Sequence, residues 1–149
     1  MYEVIQMTND IEMLNSIRKS TQMGCYGIKT VMAETSDANL YSELKNQLSE
    51  YEKIYDEADA LLKERGGKAK NINPMAKYSS SMSATMQVRM AKDPNAKIAD
   101  LMMRGNTKGM IKSIHNHRSM GVLDPKVSCL SNRLLQTEQA NIDSMKTFL

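Results

Sequence analysis

His115 and His117 close the stretch RGNTKGMIKSIHNH, and imidazoles are the first groups to test for metal binding or acid–base work. Two residues apart on a regular helix, they point about 200° from one another and cannot close on one ion. They fall in a last helical turn, where an imidazolium interacts favourably with the carbonyl end of the helix dipole. A structural or solvated role is expected, with a surface metal or pH-sensing site as the alternative. Cys25 and Cys129 show neither zinc spacing nor Cys-x-x-Cys. They read as small core residues, with a disulfide or redox switch as the alternative. No Ser-His-Asp logic, phosphate loop or dinucleotide fingerprint is present. What remains odd in the stretch is its pair of glycines, Gly105 and Gly109, inside a helical pattern.

The elements that would position such groups are all helical. A chain of 149 residues with 41% apolar side chains fits a single domain, 1–149, able to bury a core. Aromatics are few and Met is abundant at 14, which suits helices. No apolar run has the length of a membrane helix, and the polar start MYEVIQMTND argues against export, so a cytoplasmic location without membrane contact is the expectation. Charge is uneven. Residues 1–62 hold 5 basic and 11 acidic side chains, residues 63–118 hold 12 and 3. The basic 63–118 segment permits nucleic-acid binding as an alternative function. No basic–aromatic motif accompanies it, so a solvated face is favoured.

Each proline follows a capping residue: Asn73-Pro74, Asp93-Pro94 and Asp124-Pro125. That pattern predicts three helix starts. Periodicity adds a helix over 8–34, with stripe Ile11, Leu14, Ile17, Ile28, Val31 and Met32. It adds another over 38–65, capped by Ser36 or Asp37 and stopped by Gly66. Helices over 95–119 and 125–147 complete the set. Between the second and third long helices, 74–92 predicts a shorter, less regular helix. Its Met75, Tyr78, Met82, Met86 and Met90 share one face and are expected to line the core.

The segments LNSIRKSTQMGCYGIKTVM, LYSELKNQLSEYEKIYDEADALLKERGG, LMMRGNTKGM and LLQTEQANIDSM resemble a bacterial family of ferritin-like four-helix bundles of unknown function. That family carries Leu-x-x-x-Gly-Gly at the end of its second helix and Arg-Gly-Glu-Asp in its third. The resemblance covers residues 10–147. It implies an all-α, ferritin-like up-down bundle with an additional short helix in the long connection between helices 2 and 3, and it implies no activity. The wider group often binds two irons through a Glu from each of two helices and a Glu-x-x-His pair from each of the others. Here Glu50 is followed by Lys53, Gly105 by Asn106, and Glu138 by Asn141, and no acid stands between Glu12 and Glu34. The di-iron ligands are missing, and no cofactor or metal is expected.

In the metal's place we expect a polar interior cluster of Arg18, Thr21, Gln22, Glu50, Glu138 and Asn141, with Arg18 paired to Glu50 or Glu138, because a buried charge needs a partner. Tyr51 and Tyr55 are expected on the inward stripe. Gly24, Gly27, Gly105 and Gly109 are expected at close contacts between helices or at a dimer interface, since glycine inside a helix costs about 1 kcal/mol against alanine. The functional reading is a non-catalytic bundle acting through protein contacts with an unidentified partner, assembled as a homodimer. The alternative is a ferritin-like iron store or oxidase.

Overall fold

In the computed structural model, which describes residues 1–149, the chain forms five α-helices: α1 (Tyr2–Met32), α2 (Ala38–Glu64), α3 (Pro74–Met90), α4 (Pro94–Met120) and α5 (Pro125–Met145). A single 3₁₀ turn, Lys146–Phe148, ends it. No strand is present, and no helix is long and apolar enough to cross a membrane.

The starts are set by the local chemistry of the caps. The side chains of Asp37, Asn73, Asp93 and Asp124 accept from Leu40, Met75, Ala96 and Lys126 N–H. Pro occupies the first turn of α3, α4 and α5, where its missing N–H loses no bond. At the end of α2, Gly66 adopts φ +63°. Gly66 N–H then reaches Lys63 O and Gly67 N–H reaches Leu62 O, the pairing of a helix closed by a left-handed residue. One boundary differs from the sequence reading: α1 begins at Tyr2, not near residue 8.

The four long helices α1, α2, α4 and α5 pair antiparallel. Gly24 of α1 faces Tyr51 of α2, while Asn15 reaches Lys68 just past the end of α2. On α4 and α5, Asn106 meets Asn141 and His117 meets Ser131. Gln47 and Ser144 join α2 to α5, and Ser16 and Asn116 join α1 to α4. One apolar core of 18 residues draws on all five helices.

The share of α3 in that core is Val88 alone. This corrects the expectation for its Met face. Met75, Tyr78, Met82, Met86 and Met90 are 57 to 80% exposed. The opposite face, with Ser81, Ala84, Thr85 and Val88, lies against the bundle. Small side chains let α3 settle close to α1, with Ser81 Oγ 3.0 Å from Thr30 Oγ1. Lys77 sits over the Tyr26 ring at 4.2 Å, and Arg89 grips Glu34 with two bonds of 3.1 Å. These contacts run 26 to 77, 30 to 81 and 34 to 89, so α3 lies parallel to the C-terminal half of α1.

Candidate functional site

The expected interior cluster separates into three places. Arg18 is 3% exposed, but neither Glu50 nor Glu138 is its partner. Nε meets Asp59 Oδ1 at 3.1 Å, Nη2 donates to Tyr55 Oη at 2.9 Å and Asn71 Oδ1 at 3.3 Å, and Nη1 donates to Lys70 O at 3.1 Å. The reason is helix register. Arg18 lies across from the 55–59 turn of α2, and Glu50 is about 13 Å further along that helix at 1.5 Å per residue. Lys63, together with Arg18, holds the Asp59 carboxyl below its ordinary range. Gln22 stands beside this node, its Nε2 at 3.4 Å from both Tyr55 Oη and Asn71 Oδ1. Asn15 donates to Lys68 O and accepts from Lys70 N–H. Asn15 and Arg18 therefore latch the connection 66–73 onto α1.

Glu50 lies at the surface of the α2–α5 seam instead. Arg133 Nε is 3.0 Å from its Oε1, and Arg133 Nη1 is 2.8 Å from Glu57 Oε2. Neither Asp59 nor Arg133 stood out in the sequence. Yet Asp59, four after Tyr55 and three before Leu62, and Arg133, three after Leu130, lie beside the apolar stripes, and that helical spacing is the signal that could have found them.

The third place is the interior itself. Tyr51 Oη donates to Asn106 Oδ1 at 2.6 Å, Asn141 Nδ2 donates to the same oxygen at 3.3 Å, and Asn106 Nδ2 donates to Met102 O at 2.7 Å. Thr21 turns back onto its own helix, donating to Ile17 O or Arg18 O. Glu138 is 2% exposed, and its Oε2 has no hydrogen-bond partner. Burial pushes its carboxyl up to about 8. Burial, with Glu138 nearby, also raises the Tyr51 phenol well above its ordinary value.

Two of the four glycines make room for these side chains. A Cβ at Gly24 would stand 2.9 Å from Tyr51 Cε2, and one at Gly109 would collide with Glu138 Oε2. A Cβ at Gly27 would make only ordinary contact with Met102 Cε at 3.8 Å, and one at Gly105 would meet nothing within 4 Å. Close packing is thus helix against buried side chain at two positions, and it is absent at Gly105. Gly109→Ala is expected to destabilise by about 1–3 kcal/mol through overpacking. Gly105→Ala is expected to stabilise by up to about 1 kcal/mol through helix propensity. Thermal unfolding of the two variants checks the pair, and equal effects would contradict the packing at Gly109.

This interior does not fit a di-metal centre. One carboxylic acid, two carboxamides and a phenol supply too little negative charge for two divalent ions, and no three side chains among His, Cys, Asp and Glu converge. His115 is exposed, and His117 Nε2 is 2.7 Å from Ser131 Oγ. Cys25 is half-buried, and its thiol is pushed up to about 11, chiefly by burial and then by Glu52. A thiol so raised carries little thiolate at neutral pH. Cys129 faces solvent and is not a core residue, which corrects its sequence reading.

What the surface offers is the Met face of α3. Five large side chains spaced three or four apart form one exposed apolar stripe about 22 Å long on a 17-residue helix. A second exposed apolar group stands at the start of α1, with Tyr2, Val4, Ile5 and Met7.

No family model matches the chain, and no curated protein does. Among solved structures, a DUF305 fragment from Deinococcus radiodurans superposes with a TM-score of 0.73 over 93% of each chain, at 11% identity. At that identity the likeness is one of fold, and this chain shares the all-helical fold of that fragment.

Proposed function

We propose that the protein is a non-catalytic ferritin-like bundle that works by docking another protein segment on the Met face of α3. The antiparallel pairings of α1, α2, α4 and α5, with α3 in the long connection, support the ferritin-like description. The observation that carries the functional reading is the exposure of Met75, Tyr78, Met82, Met86 and Met90 along one line. Folded monomers rarely leave so large a continuous apolar patch in water, and such patches mark interaction sites. Methionine suits a docking face, because its unbranched, polarisable side chain adapts to the surface it meets.

A photo-reactive amino acid placed at position 86 in cells that make the protein tests this. A discrete cross-linked species is expected at 86, and none at position 53, where Lys53 faces water on α2. Equal labelling at the two positions would remove the basis for the reading. Recovery of nucleic acid at 86 would favour the basic-segment alternative.

A further inference from the structure

The following inference rests on that reading and adds the identity of the occupant. We propose that the Met face of α3 receives the first two turns of α1 from a second copy of the chain, reciprocally, in an antiparallel dimer. Three observations converge on it.

First, the chain has two exposed apolar groups of four or five large side chains each, while Ile111, Ile114 and Leu149 form a smaller third. Tyr2, Val4, Ile5 and Met7 are 50 to 68% exposed. Side-chain bonding of α1 to the rest of the molecule begins only at Asn9, which donates to Met120 O and Val122 O, and at Asp10, which accepts from Asp124 N–H. The first two turns project beyond the bundle as a bare helix.

Second, the two groups lie at opposite ends of the molecule. The N-terminal half of α3 sits beside Tyr26 and Thr30, about 33 Å along α1 from Val4 at 1.5 Å per residue. One copy cannot bring them together. Two copies side by side and antiparallel place each α1 start against the other's α3, and a two-fold axis covers both patches twice with no open end.

Third, the charges match. Residues 65–92 contain six basic residues and no acid. Arg65 is matched by Asp10 and Asp124, and Arg89 by Glu34. Lys68, Lys70, Lys77 and Lys92 have no carboxylate partner. Residues 1–17 contain three acids and no Lys or Arg; Asp10 is taken by Arg65, while Glu3, which offsets the Met1 ammonium, and the exposed Glu12 in the following turn form no ion pair. An α3-to-α3 contact would bring like charges together. The acidic face of α2 offers Tyr41 as its one exposed large apolar side chain, too little to match the stripe.

Sedimentation of the full chain tests the arrangement. The wild type is expected as a dimer of 16.8 kDa chains, weakening as salt rises. Val4→Glu/Ile5→Glu and Met82→Glu/Met86→Glu are each expected to be monomeric at the same concentration, with unchanged circular dichroism because all four positions face water. An equimolar mixture of the two variants keeps one intact α1–α3 contact. It is expected to recover a heterodimer with a dissociation constant at least about tenfold above that of the wild type, since one of two contacts is lost. A monomeric wild type, a dimer that survives the α1 substitutions, or a mixture that stays monomeric would each overturn the proposal. A monomeric wild type that still cross-links at position 86 would leave the docking reading in place and remove only its occupant.

Discussion

Glu138→Gln is expected to stabilise the protein at about pH 8 while changing it little at about pH 5. The Glu138 carboxyl is raised from 4.5 to about 8 by burial, so the folded state holds the proton more tightly than the unfolded chain. The stability associated with this group is therefore complete below about pH 4.5. It is lost progressively as pH rises to about 8 and stays lost above. A pKa unit corresponds to about 1.4 kcal/mol, so the total loss is on the order of 5 kcal/mol. Glutamine keeps the shape that Gly109 accommodates and does not titrate. Urea midpoints of the two proteins should diverge with pH across this window. A constant difference would mean that Glu138 ionises as an ordinary surface carboxylate.

Arg18→Met is expected to cost about 3 kcal/mol, the range for removing one partner of a buried charged pair. It strips donors from Asp59, Tyr55, Asn71 and the Lys70 carbonyl at once. It should also release the connection 66–73, seen as faster tryptic cleavage after Lys68 and Lys70. Glu50→Gln touches only the half-exposed pair with Arg133 and should cost under about 1 kcal/mol. Equal losses from the two substitutions would refute the placement of the buried charge at Arg18–Asp59.

What the sequence made legible was local. Asn73-Pro74, Asp93-Pro94 and Asp124-Pro125 announced helix starts because a cap and a proline act within one turn. Gly66 announced an end for the same reason. The burial of Arg18, Glu138 and Asn141 was legible from their place beside apolar stripes. The partner of Arg18 was not, because the register between α1 and α2 is a property of their packing and no short stretch encodes it. The stripe on α3 was legible as one face, but periodicity does not say which face meets the core. Ser81, Ala84 and Thr85 look like a solvent side, yet they permit the closer approach and so win the contact with α1. Cys129 misled for a related reason, since small and apolar describes a surface helix position as well as a core one.

Val88, one hydroxyl pair, a lysine over a tyrosine ring and an exposed ion pair hold α3 in place. Exposed ion pairs contribute little, and the serines at 79, 80, 81 and 83 lower its helix propensity. This helix is therefore expected to open more readily than the other four, as a separate low-stability unit. Folding of α3 and occupancy of its Met face then become one linked equilibrium. Anything that covers the face also lowers the conformational entropy of the segment, and its apparent affinity is reduced by the fraction of time α3 spends open. Affinity can thus be tuned by the helix propensity of residues that never touch the occupant.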